Sequence, residues 1–144
     1  MSDRSRRQSG SAAIELAIVA PMLLTLLGGV IDVGFGLQEA MLAQNAVEAG
    51  ALYAATHGWN AAGIEAAVVA AAPNSGVVAK PPPRQFCGCA DVAGITATAC
   101  GAHCHGGAVA ASYAEIGTSL AHWRIIPFDF MPDTLTGRSV VRLP

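Results

Sequence analysis

The feature that most constrains this chain is an uncharged run from Leu16 to Ile31, Leu-Ala-Ile-Val-Ala-Pro-Met-Leu-Leu-Thr-Leu-Leu-Gly-Gly-Val-Ile. Ser11 to Ile14 extend it upstream past a single acidic residue, Glu15. The 21 positions from Ser11 to Ile31 make roughly 31 Å of helix at about 1.5 Å per residue, the thickness of a bilayer hydrocarbon core. A membrane span is therefore predicted. Pro21 lies inside it, which membrane helices tolerate because local adjustments and neighbouring helices satisfy the freed carbonyl. Arg4, Arg6 and Arg7 against Asp3 make the first ten residues +2, whereas residues 11–144 hold five Lys/Arg against nine Asp/Glu. Basic residues stay on the cytoplasmic side, so the N-terminus is expected inside and everything after the span exported. A cleaved secretory signal peptide is the competing reading. Its apolar core would be 7–15 residues long, shorter than this run, and no good small-residue cleavage site follows closely.

Composition narrows the class further. Only 12% of the 144 residues are charged, where soluble domains carry about 25%. A 53% hydrophobic share excludes disorder of the whole chain, and with no basic patch a nucleic-acid partner is not expected. Much of the apolar share is 29 alanines, which favour helix but bury little area each.

Glu15 is the residue the span does not explain. A carboxylate within a span costs about 2.5–3.5 kcal/mol near the centre and less near an edge, and it marks a functional site with a partner to be named. Gly10 stands five positions earlier, at the junction of the basic and apolar segments. Cleavage after Gly10 would give Ser11 a new α-ammonium four residues from Glu15, able to neutralise the carboxylate of an adjacent copy. Gly10-Ser-Ala-Ala-Ile-Glu15, preceded by Arg6-Arg7 and followed by the apolar helix, resembles the class III signal of type IV pilin-like proteins, with Gly at −1 and Glu at +5. Residues 10–24, with Pro21 and the leucines after it, resemble the TadE-like family of tight-adherence (Flp) pilus pseudopilins, as does Asp32-Val-Gly34 after the span. Leu16 stands where that family commonly has Phe, and Phe35 and Gly36 where a basic residue often follows.

The resemblance implies a substrate and not an enzyme: a bacterial inner-membrane, single-pass precursor cut between Gly10 and Ser11 by a prepilin peptidase. Gly suits the scissile position because it lacks a Cβ. Its partners would be the peptidase, other pilins and pseudopilins, the pilus inner-membrane platform and membrane lipid. Arg6, Arg7 and Glu15 would serve processing and assembly. A signal-anchored periplasmic envelope or binding protein, unrelated to pili, is the alternative.

The domain organisation is expected to be a leader at 1–10, a transmembrane helix at 11–32 and an exported α+β domain at 33–144. Residues 33–57, rich in helix formers, continue the span outward. Gln38, Gln44, Asn45 and Glu48 fall within about 120° on a helical wheel, opposite Ala40, Ala43, Val47, Ala51 and Ala54. That small-residue surface suits either close approach of another helix or packing against the chain's own domain. A short helix is predicted over 60–72 with Asn60 as N-cap. Lys80-Pro-Pro-Pro-Arg84 reads as a stiff connector unable to pair inside a sheet, leading into a cysteine loop that ends near 106. Residues 107–144 supply strands, with extended segments at 107–116, 120–126 and 135–143 and with Pro127 to Pro132 separating the last two. The strands build a small antiparallel sheet packed on the exported helix.

Cys87, Cys89, Cys100 and Cys104 fall within 18 residues, beside His103 and His105. In an oxidising space they form two disulfides that compensate for a thin core. In a reducing one they could bind zinc, but Cys-x-Cys and Cys-x3-Cys match neither common finger spacing. The predicted export favours disulfides, in nested or crossed pairing, because bridges within each pair would close very small loops. TadE-like proteins often carry cysteines in such a loop. His57, His103, His105 and His122 are scattered, and no nucleophile motif, phosphate loop or metalloprotease helix is present. No catalytic residue, cofactor or metal is assigned.

Overall fold

In the computed structural model, which describes residues 4–124 and 132–144, one helix dominates. α1 runs from Arg4 to His57, 54 residues passing through Pro21 without a break, about 80 Å at helical rise. It joins the predicted span and its outward continuation in one element. The apolar window of this helix has no part buried against the rest of the chain, so that stretch does not belong to the core. By length and composition it is a single-pass membrane anchor.

Burial begins at Asp32 and follows helical spacing: Asp32, Gly36, Ala43, Ala46, Val47, Gly50, Ala51 and Ala54 are buried, a stripe at i, i+3 and i+4. The small side chains thus face the chain's own domain, the second of the two arrangements open to them. Gln38, Gln44, Asn45 and Glu48 point outward as expected, together with Leu37, Met41 and Leu52.

α2, Ala61–Ala71, starts where its cap predicts: the Asn60 side-chain oxygen accepts a hydrogen bond from the Gly63 amide at 3.1 Å, satisfying an otherwise orphaned donor. Its buried Ile64 and Val68 complete a core with Ala43, Ala46, Ala54, Val77, Ile116 and Leu120.

Against the other side of this core lies a four-stranded sheet in the order β2-β1-β3-β4, antiparallel throughout. Its strands are β1 (Arg84–Asp91), β2 (Gly94–Ala97), β3 (Ala111–Ala121) and β4 (Thr134–Arg142). The α+β arrangement is the expected one. The sheet begins earlier than residue 107, however, since β1 and β2 form a hairpin inside the segment read as connector and cysteine loop. Gly88 and the paired cysteines disguise a strand that has no β-branched residue, and its conformation is set by pairing with β3. The connector also pairs up to its prolines: Val78 and Ser119 exchange backbone hydrogen bonds, and the Lys80 amide donates to the Gly117 carbonyl.

β3 is one strand through Gly117, where the sequence reading placed a break. A Cβ on Gly117 would stand 2.7 Å from Pro81 Cδ and 3.2 Å from the Lys80 carbonyl oxygen. The glycine is there to let the connector lie on the strand. On the core face Ala114, Ile116, Thr118 and Leu120 alternate with outward Tyr113, Glu115 and Ser119. In β4 and just beyond it Leu143 is buried and Val141 packs on the core, while Arg138 and Arg142 stay exposed. Of the extended segment predicted at 120–126, β3 includes Leu120 and Ala121, and Ile125 and Ile126 lie outside the described residues. So do Pro127 to Met131 of the separating segment.

Candidate functional site

The predicted processing residues occupy the first turns of α1. Arg6, Arg7, Gly10 and Ser11 are helical in backbone, and their side chains lie outside what the structure describes. Glu15 follows Ser11 by four residues, so both stand on one helix face, and its side chain is exposed. Nothing from the folded domain covers this end of the helix among the described residues.

At the outer end of the apolar run the structure assembles a group that no sequence pattern announces. Asp32, the first acidic residue after the span, is 2% exposed. His122, just past the end of β3, has a side chain wholly excluded from solvent. Its Nδ1 lies 2.5 Å from Glu39 Oε2, and its Nε2 lies 4.0 Å from Asp32 Oδ1. An ionised carboxylate only accepts, so Nδ1 carries the proton toward Glu39. Nε2 is buried without a hydrogen bond, and its nearest charge is Asp32. Two carboxylates two helical turns apart thus flank one imidazole from the end of β3. His122, one of four histidines scattered in the sequence, is a buried structural one. Its partners are 83 or more residues away, so local spacing carries no signal of the cluster.

Two turns higher the same strand is seated again. The Thr118 hydroxyl, fully buried, donates to the Ala43 carbonyl at 3.0 Å and accepts from the Gly137 amide at 3.1 Å. A Cβ on Gly137 would meet Thr118 Oγ1 at 2.8 Å and the Ala43 carbonyl oxygen at 2.9 Å, so helix and sheet approach to backbone distance there.

The outer face of the sheet carries a charged row. Glu115 stands opposite Arg84 in register and diagonal to Arg138. It pairs with Arg84 Nε, and its Oε1 lies 2.5 Å from Arg138 Nη2. Burial of the Glu115 carboxyl pushes its pKa up, but the hydrogen bond from Arg84 and the charges of Arg138 and Arg84 outweigh it and hold the group below its ordinary value. Beside this row Phe86 stacks on Tyr113 with ring centroids 5.7 Å apart. A carboxyl depressed in the folded state stabilises fully above the ordinary glutamate value of about 4.3 and loses that contribution as pH falls through the lower folded-state value. Acid unfolding of the parent should therefore include a stability loss below about pH 4 that is absent from Glu115→Gln, as read by urea titrations across that range.

The four cysteines form two disulfides, Cys87–Cys100 and Cys89–Cys104, with Cα separations of 5.1 and 5.5 Å. The pairing is the crossed one of the two expected. It fastens the loop after β2 onto β1, and the sulfurs so used are not available as thiolate ligands. His103 and His105 line a shallow depression with Asp91, Thr96 and Thr98, and among the described residues no three His, Cys, Asp or Glu side chains are grouped to hold a metal.

A family model described as TadE-like protein matches residues 10–52. The match takes in Gly10, Ser11, Glu15, Pro21 and Asp32-Val-Gly34, the residues on which the resemblance rests, and ends within α1. No curated protein and no solved structure matches the chain.

Proposed function

From the match of residues 10–52 to the TadE-like family, we propose that this is a Tad-pilus-associated protein, and specifically a minor pseudopilin processed by a prepilin peptidase. The observation that carries the reading is the placement of Gly10, Ser11 and Glu15 at the start of a helix that runs unbroken from the span into the exported domain. Cleavage after Gly10 removes the +2 leader and leaves a Ser11 ammonium in reach of a neighbour's Glu15. In hydrocarbon that pairing relieves the cost of an isolated carboxylate, and it sets the stagger between adjacent subunits.

The folded domain supports this arrangement by its position. It covers one side of α1 from Asp32 outward and leaves Leu37, Met41 and Leu52 exposed on the opposite side, at 57%, 61% and 66%. Helices 11–57 of several subunits could therefore pack laterally along that side while their sheets face outward. The other pilins and the inner-membrane platform are the partners of this assembly.

Intact-mass analysis of protein extracted from membranes of a peptidase-competent cell should show a chain beginning at Ser11. A chain that retains Met1 or Arg4 would overturn processing and favour a signal-anchored envelope protein instead. Glu15→Ala should leave membrane insertion unchanged and sharply reduce the protein recovered with sheared pili. Undiminished recovery would overturn the pairing of Glu15 with Ser11.

A further inference from the structure

The course of β3 along α1 places one aromatic side chain at a particular height. Ile116 packs beside Gly50, Thr118 donates to the carbonyl of Ala43, and His122 contacts Glu39 and Asp32. The strand thus descends the helix toward the span as its numbering rises. It reaches Asp32, the residue directly after the apolar run, at its own last turn of contact. Trp123 comes next, and its side chain is turned out of the fold with the residue 81% exposed. The backbone there is held: the His122 amide donates to the Asp133 carbonyl at 2.9 Å, and Arg124 pairs with Asp133 across the hairpin.

We propose that Trp123 is a membrane-interface anchor, its indole lying among lipid headgroups at the outer boundary of the span and holding the β3–β4 end of the domain down on the bilayer. An indole suits that level because it combines a large apolar ring with one N–H donor, and Trp collects at membrane–water interfaces for this reason. In water its exposure would leave a large apolar ring solvated at the end of a buried clamp. At headgroup height the same exposure buries the ring and satisfies its donor. The clamp gives the anchor a defined position, because His122 is fixed to Asp32 and Glu39 one residue away. The domain then has two attachments to the membrane, the helix and the indole, and its tilt on the helix axis is fixed. This inference rests on the reading of α1 as a span and is independent of pilus assembly.

The chain contains two tryptophans, Trp59 and Trp123, which makes the test direct. Trp59 follows the far end of α1, about 40 Å from Asp32 along the helix. The Trp59→Phe protein, reporting Trp123 alone, and the Trp123→Phe protein, reporting Trp59 alone, are reconstituted into phosphatidylcholine vesicles at low protein density and recovered by flotation. Lipids brominated on the upper acyl chain should quench Trp123 strongly, and lipids brominated near the terminal methyl should quench it less. Trp59 should be unaffected by either and quenched by aqueous iodide. Floated protein whose Trp123 responds to iodide as Trp59 does and ignores both brominated lipids would overturn the anchor while leaving the span intact. Failure to float would overturn the span and the anchor together.

Discussion

His122→Ala is expected to lower the melting temperature of the exported domain by about 10 °C, measured by circular dichroism in detergent micelles. Removing one partner of a buried hydrogen bond leaves the other unsatisfied, which costs about 1–3 kcal/mol, and emptying the space of a buried ring adds to it. Here the hydrogen bond lost is the one to Glu39, which at 29% exposure is partly rescued by water, while the emptied ring site is wholly buried. The net cost is then roughly 2 kcal/mol, and a domain of this size loses about 4–8 °C per kcal/mol. His122→Phe separates the hydrogen bond from the volume. It refills the space of the ring yet leaves both carboxylates facing it, so it should be as destabilised as alanine. Recovery of the parent melting temperature by phenylalanine would mean that packing, and not the carboxylate grip, holds β3 to the helix.

That cluster also marks where sequence reasoning stops. The long helix was legible because span length, the charge change at residue 10 and Asn60 as the next cap are all local signals within a few turns. Gly10 and Glu15 stand out in the sequence for the same reason, and the residues that match the TadE-like family model include them. The contacts of β3 were not. Gly117 and Gly137 look like strand breakers until Pro81 and the Ala43 carbonyl are seen against them, and Thr118 looks like a surface residue until it is found bridging helix and sheet. Each is a local irregularity whose cause lies tens of residues away. The β1–β2 turn did carry a local sign, Asp91 followed three residues later by Gly94, with the Asp91 side chain accepting from the Ala93 amide at 2.8 Å. It was masked by cysteines that drew the region into a loop. The cysteines themselves narrowed to nested or crossed pairing, because short spacing excludes only the local bridges.

Cutting both disulfides should produce the largest change of all in one part of the molecule and little elsewhere. None of residues 91–110 is buried, so the loop after β2 has no core side chain to hold it. Its order rests on the two bridges and on a few backbone hydrogen bonds, such as Cys104 to Ala108 at 2.7 Å and Ala110 to Ala102 at 2.9 Å. Loops of this length gain about 3 kcal/mol from each cross-link in the chain-entropy account. A reduced loop of exposed residues recovers that entropy by opening locally while the core stays folded. In the variant with all four cysteines changed to serine, amide exchange at Cys104→Ser and Ala110 should therefore accelerate to nearly the unprotected rate. Amides of the core strands, such as Ser119 bonded to Val78 at 3.0 Å and Leu143 bonded to Ser112 at 2.9 Å, should keep their protection. Cooperative loss of protection across β3 and β4 would show instead that the bridges stabilise the whole sheet through Cys87, the one cysteine buried in it. The core of Ile64, Val68, Ile116 and Leu120 against the alanine stripe of α1 contains neither bridge, which is why local opening is the expected result.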